Sequence, residues 1–392
     1  MPGGNLGRGG AHEPFGRRGR TARRAVPGDA RRHNRALMLR TLFREGPVSR
    51  ADLARSTHLT RVTASDLVGE LLDEGLVEEL GTRSRRGVGK PATLVGIVAD
   101  ARLVLSLDLS DDEQFRGALV DLSGKIVERA TVQRRERRGD AALGLLATLV
   151  RDLAERAERP LLGIGAGSPG VVDPAGRVLE APNLDWHDTD VAGQLARVVG
   201  SSAHDPIPAH VANDANAAAV GELSLGGPAG RSLLLVKVGH GVGAGLVVDG
   251  HLVMGELYAA GEVGHVVVDP DGDPCACGRR GCLETAIAAP LLRRRLAGLD
   301  GDAAREAQRV AGHTLGTALA PVISALNLRE VALSGPLDIL TETFRRGALD
   351  AVRSRTMPAI GDHVDVRLSS LGEDDVLLGA AMLVLDQELG VA

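Results

Sequence analysis

Cysteine is nearly missing from this chain, at three of 392 residues. All three fall within one eight-residue stretch, as Cys275, Cys277 and Cys282. No cysteine elsewhere can pair with them, so a disulfide framework is not expected and a reducing cytoplasm fits. Long apolar runs are missing too. No stretch reaches eighteen apolar residues, so no membrane-spanning helix is expected. The arginine-rich N-terminus has no apolar segment behind its charges and does not read as a secretory signal.

What is present is a chain long enough for two or three domains with an uneven charge distribution. Residues 1–90 hold 18 Lys+Arg against 10 Asp+Glu, while the whole chain has a net charge of −5. A basic front on an acidic body suggests that the front alone meets a polyanion. Residues 1–30, rich in Gly, Arg and Pro, read as a disordered basic arm. Arg17, Arg18, Arg20, Arg23 and Arg24 there could touch phosphates without reading sequence.

Folded structure is expected over 31–98. Leu37, Leu39, Leu42 and Phe43 share a helical stripe that Gly46-Pro47 ends. Ser49 is a good N-cap for a short helix from Arg50 to Ser56, with Asp52 in its first turn. Thr60 caps a third helix running to about Asp73. Val62, Leu67, Leu71 and Leu72 are expected to face its core, leaving Arg61, Thr63, Ala64 and Ser65 outside. Two strands follow, joined by a loop carrying Arg83, Arg85, Arg86 and Lys90. That order is a winged helix-turn-helix. Its third helix would enter the major groove with Arg61, Thr63, Ala64 and Ser65 at base edges. Ser49 and Arg50 would lie on phosphate, and Arg86 and Lys90 on the wing. A helical protein-interaction module is the alternative. Gly89-Lys90-Pro91 is no nucleotide loop, because Ser84 replaces the required glycine and Pro91 the required Ser or Thr.

From about residue 99 strands alternate with helices, first from Leu103 and again from Leu233, which indicates an α/β body. Within it the three thiols lie on one glycine-interrupted loop. A tetrahedral zinc needs a fourth ligand, and His265 is the nearest candidate. The alternative is three reduced thiols without metal.

Four further motifs complete a pattern: Pro182-Asn183-Leu184-Asp185-Trp186, Asn213-Asp214-Ala215-Asn216, Gly261-Glu262-Val263-Gly264-His265, and the cysteine loop ending in Glu284. With Ser49-Arg50-Ala51-Asp52-Leu53-Ala54 in front, the chain resembles the ROK family, in the transcriptional-regulator branch that includes xylose and N-acetylglucosamine repressors. The resemblance covers about 31–392. It implies a two-lobed actin-like, hexokinase-like (ribonuclease H-like) domain over 99–392, with a lobe boundary near 212 and a C-terminal helix returning to the first lobe. It implies His265, Cys275, Cys277 and Cys282 as ligands of a structural zinc, and Asn183, Asn213, Asp214, Glu262, His265 and Glu284 around a sugar or sugar phosphate. It further implies a homodimer or dimer of dimers on an operator.

In the family's kinases Asp214 would be the general base toward ATP. Their first phosphate loop reads Asp-x-Gly-Gly-Thr. Here it is Asp108-Leu109-Ser110-Asp111-Asp112-Glu113, without either glycine and with three acids where phosphates would sit. The second, Gly239 to Gly245, is largely kept, with His240 in place of threonine. A sugar sensor that regulates transcription, most simply a repressor, is therefore expected rather than an enzyme. A sugar kinase with an added DNA-binding head is the alternative.

Overall fold

The structure, a computed structural model, describes residues 27–83, 92–199, 207–227 and 230–391. The expected arm over 1–30 therefore falls outside it except for its last residues, which already belong to a helix. Arg86 and Lys90 also lie outside the described residues.

The first unit runs α1 (Pro27–Glu45), β1 (Val48–Ser49), α2 (Arg50–Ser56), α3 (Arg61–Asp73), β2 (Val77–Arg83) and β3 (Ala92–Ile97). Gly46 ends α1 with φ +73°, a conformation glycine adopts without strain. Ser49 caps α2: its hydroxyl accepts from the Asp52 N–H at 3.2 Å and donates to the Asp52 carboxylate at 2.7 Å. Thr60 caps α3 through the Thr63 N–H at 3.1 Å. The strands form an antiparallel sheet in the order β1-β3-β2. Sequence reading missed β1, because two residues are too few for alternation to register.

Two site assignments and one core assignment in this unit change. Ala64 is fully buried and Val62 is 70% exposed, the reverse of expectation. The buried residues of α3 are Ala64, Leu67, Val68 and Leu71. That is an i, i+3, i+4, i+7 stripe, and it turns Val62 outward. Ala64 cannot meet a base edge. Ser49 is only 5% exposed and its hydroxyl is committed to the cap, so it is withdrawn from phosphate contact.

The body contains two sheets of like topology. The first lobe holds β4 (Leu103–Asp108), β5 (Gln114–Asp121), β6 (Ile126–Gln133), α4 (Gly139–Arg156), β7 (Leu161–Ser168), β8 (Val171–Val172), β9 (Val178–Ala181), β10 (Trp186–Thr189), α5 (Val191–Val199), β11 (Ala209–Asn213) and α6 (Asp214–Leu225). The second holds β12 (Leu233–Val238), β13 (Val242–Val248), β14 (His251–Leu252), α7 (Leu283–Ile287), α8 (Ala289–Leu296), α9 (Gly301–Leu326), β15 (Glu330–Ser334), α10 (Glu342–Arg355), α11 (Pro358–Gly361) and β16 (Asp365–Leu368), and the chain ends in α12 (Asp375–Leu389). The orders β11-β7-β4-β5-β6 and β14-β13-β12-β15-β16 are mirror statements of one arrangement. In each, a three-strand antiparallel meander is extended by two parallel strands.

Helix α12 lies against β4, β7 and α6 of the first lobe. Glycines make the approach possible. A Cβ at Gly163, Gly165 or Gly167 of β7 would strike Val384, the Ala380 carbonyl or Val376 respectively. Every second strand residue thus meets every fourth helix residue. The far end of α12 enters the core of the first unit, where Leu385, Leu389 and Val391 share one apolar cluster with Met38, Leu39, Leu53 and Leu67. No helix among the described residues is long and apolar enough to cross a membrane.

Candidate functional site

The ligand atoms of His265, Cys275, Cys277 and Cys282 all lie within 4.8 Å of one another. Backbone bonds shape the loop that gathers them: Cys275 N–H to the Arg279 carbonyl at 2.8 Å, and Gly278 N–H to the Cys275 carbonyl at 3.0 Å. Gly281, at φ +66°, presses on the Asp269 backbone where no Cβ fits. Cys277 and Cys282 sulfurs are 3.6 Å apart, and Cys275 Sγ is 3.5 Å from His265 Nδ1. A tetrahedral metal about 2.3 Å from sulfur would set sulfurs ~3.8 Å apart. The group therefore fits a four-coordinate metal ion with no position left for water. The Arg279 backbone N–H pulls the Cys277 thiol down to about 7, whereas burial and then the neighbouring Glu284 push Cys275 up.

His265 faces two ways. Its Nδ1 points into the cysteine group and toward Glu284 Oε1 at 3.5 Å, and its Nε2 stands 3.8 Å from Glu262 Oε2. Glu262, His265 and Glu284 thus come together as one acid–imidazole–acid row. Burial pushes the Glu262 carboxyl up. Asn213 and Asp214 stand at the start of α6. The Asn213 amide accepts from the Asn216 N–H at 3.1 Å and donates to the Gly170 carbonyl at 3.0 Å, so it aims Asp214 by capping the helix. Asp214 keeps part of its surface open, but the protein around its carboxyl pushes it up to about 6. Asn183 sits on an exposed 3-10 turn, Pro182–Leu184. Among the described residues its side chain is not hydrogen-bonded to the others; its carbonyl accepts from Arg134 at 3.2 Å.

The segment from Asp108 to Glu113 is bridged by ion pairs. Asp112 pairs with Arg134 at 3.1 Å, and lies 3.8 Å from His240 on the second lobe's glycine loop. Asp108 holds Arg116 through two bonds, 2.7 and 3.2 Å, and accepts from Ser110. Among the glycines of the second loop Gly245 serves packing: a Cβ there would strike the Ala215 carbonyl, whereas one at Gly239 would meet nothing within 4 Å. Sequence reading missed Arg134, Arg116 and Lys237. Lys237 stands in the otherwise apolar β12, and that one charged residue in an apolar run was the available signal.

Two lobes of repeated topology, the second carrying a cysteine–histidine knuckle beside Glu262 and Glu284, define an architecture shared with actin-like sugar kinases. The ROK family signature matches residues 105–387, and the chain belongs to the ROK family. It is 27% identical to the xylose repressor of Bacillus subtilis, over 91% of this chain and 96% of that one. It is 30% identical to a glucokinase of Halalkalibacterium halodurans, over 69% and 92% respectively. Among solved structures, a ROK family transcriptional regulator, homologous to the Escherichia coli MLC protein, superposes with a TM-score of 0.79. That match covers 92% of this chain and 98% of the other at 23% identity, which shows a shared fold.

Proposed function

We propose that this chain is a sugar-responsive DNA-binding transcriptional regulator, a repressor of carbohydrate-utilisation genes. The observation that supports this most is Asp112 lying 3.8 Å from His240, which places an acid and an imidazole rather than glycines where a kinase of the family would cradle phosphate. The similarity to the B. subtilis xylose repressor, which extends through the first unit, supports it.

The first unit has the helix, strand and hairpin order of a winged helix-turn-helix. In it α3 reads the major groove with Arg61, Thr63 and Ser65, joined by exposed Val62, whose methyls suit a thymine methyl. Thr60 fixes the helix start. Arg50, which pairs with Glu79 at 2.9 Å, exchanges that partner for a phosphate, and Arg86 and Lys90 follow on the wing. Two such units on a homodimer or dimer of dimers read an inverted repeat. In the cleft Asn183, Asp214, Glu262, His265 and Glu284 hold a sugar, with Asn213 orienting Asp214. His265, Cys275, Cys277 and Cys282 hold a structural zinc, which when bound rigidifies the loop carrying Glu284.

The test uses the full chain with D-xylose, D-glucose and N-acetylglucosamine. Operator fragments selected from random DNA should bind with an affinity that one of these sugars alters, and ATP turnover should be absent with all three. Turnover with any of them restores the kinase alternative. Absence of sequence-selective DNA binding overturns the regulator.

A further inference from the structure

Lys237 has no counterpart among the roles assigned so far. It stands on β12, opposite Ser334 in the parallel register with β15. The Ser334 hydroxyl donates to Asp375, the first residue of α12. Asp108 pairs in register with Gly167, and a Cβ on Gly167 would lie 3.4 Å from the Asp214 Cα and press on Val376. Lys237, Asp108, Asp214 and Asp375 are therefore brought from four elements to the neighbourhood of the start of α12.

The three carboxylates differ in what else serves them. Asp108 has Arg116 and Ser110. Asp375 has Ser334 and the Val376 N–H at 2.7 Å. Among the described residues no side chain donates to Asp214. Lys237 is the nearby positive charge not already bonded to an acid, since Arg116 is bound to Asp108. Burying an ammonium in an apolar strand is costly unless a charge answers it.

We propose that Lys237 is a resident counter-ion for Asp214, built into β12, that fixes this carboxylate in its charged, hydroxyl-accepting form. It is a positioning residue for the sugar and rests on the sugar-sensing reading above. Electrostatics agree. Burial pushes Asp214 up and Lys237 opposes it, with Asp108 and Asp375 adding to the upward push and the Ala215 N–H resisting. Burial pulls the lysine down, and Asp375, Asp108 and Asp214 more than offset that, against Arg116. The lysine thus stays charged over the range in which Asp214 titrates. Lys237 thus acts on Asp214 through its charge rather than through a hydrogen bond.

The experiment follows the Asp214 carboxyl carbon by NMR across pH 4–9 in the full chain, with Asp214→Asn as the assignment blank. It is paired with calorimetric binding of D-xylose and D-glucose at each pH. Wild type is expected to titrate near the value of about 6, with sugar affinity lost below it. Lys237→Met should raise both midpoints together by roughly one unit or more, and Lys237→Arg should restore them. Asp375→Asn, which keeps an acceptor for Ser334, should move them the other way and serves if the methionine variant does not fold. An Asp214 midpoint unmoved by either change overturns the inference whatever the sugars do. Failure of both sugars to bind wild type at every pH counts against the sugar-sensing reading and leaves the carboxyl titration to decide on Lys237.

Discussion

The three thiols and His265 are separated by up to seventeen residues of chain, yet their ligand atoms share a sphere under 5 Å wide. Cys282 is fully buried and is also the residue from which α7, carrying Glu284, starts. A metal there would therefore hold the acid–imidazole–acid row in place. Cys282→Ser is expected to abolish stoichiometric zinc, removing on the order of 10 kcal/mol of local stabilisation, and to lower both melting temperature and sugar affinity. Metal analysis of purified protein with and without chelator, followed by a thermal scan, checks it. Unchanged melting after complete metal removal would refute a structural role. This group was legible in the sequence because its residues are neighbours and chemically rare. Lys237 was not, because its meaning depends on Asp108, Asp214 and Asp375, which lie on three other elements. Asp112 and His240 show the same limit: the loss of glycines was readable, but the contact across the cleft joins residues 128 positions apart.

Among the elements, α3 shows how residue size misleads periodic reading. Valine outweighs alanine as an apolar marker, so Val62 was placed inside and Ala64 outside. The helix begins at Arg61, and its stripe of burial passes through the smaller residue, since close packing there leaves no room for more. Two opposed outcomes follow. Ala64→Leu should destabilise the protein by about 1–3 kcal/mol through overpacking without changing base preference in the folded fraction. Arg61→Ala should leave the melting temperature unchanged and weaken specific DNA binding by about 1–3 kcal/mol. Val62→Ala should act like Arg61→Ala but only at positions occupied by thymine. Melting curves together with binding to single-base operator variants separate the cases. If Ala64→Leu proves as stable as wild type while altering base preference, the face assignment of α3 is inverted.

At the scale of the whole molecule, α12 joins what the chain order keeps apart. Its N-terminus carries Asp375, and Ser106 of β4 donates to the Leu377 carbonyl. About 22 Å further along, at 1.5 Å per residue, the Gly390 carbonyl accepts from Arg40 of α1 at 3.2 Å. Gly390 sits so close to Ala36 that a Cβ would overlap it. The sequence revealed the recurrence of α/β units from Leu103 and from Leu233. It could not reveal that Leu385 and Leu389 complete the core of a unit some 300 residues earlier, because apolar residues carry no label for their partner. A helix that packs on both the first unit and the body can carry a sugar signal to DNA only if sugar favours one arrangement of it over another. That predicts a single cooperative thermal transition for first unit and body together. It also predicts a graded result from weakening the far end. Arg40→Ala should leave sugar affinity and the melting temperature near wild type but shrink the change in operator affinity that sugar causes, from the 5- to 150-fold typical of such coupling toward none. Leu385→Ala, at a fully buried position, should cost about 2–5 kcal/mol and split the transition in two, the DNA-binding unit melting first. Calorimetry with and without sugar, and operator binding under the same conditions, measure both. Two separate transitions in wild type, or undiminished coupling in Arg40→Ala, would show that the signal does not travel along α12.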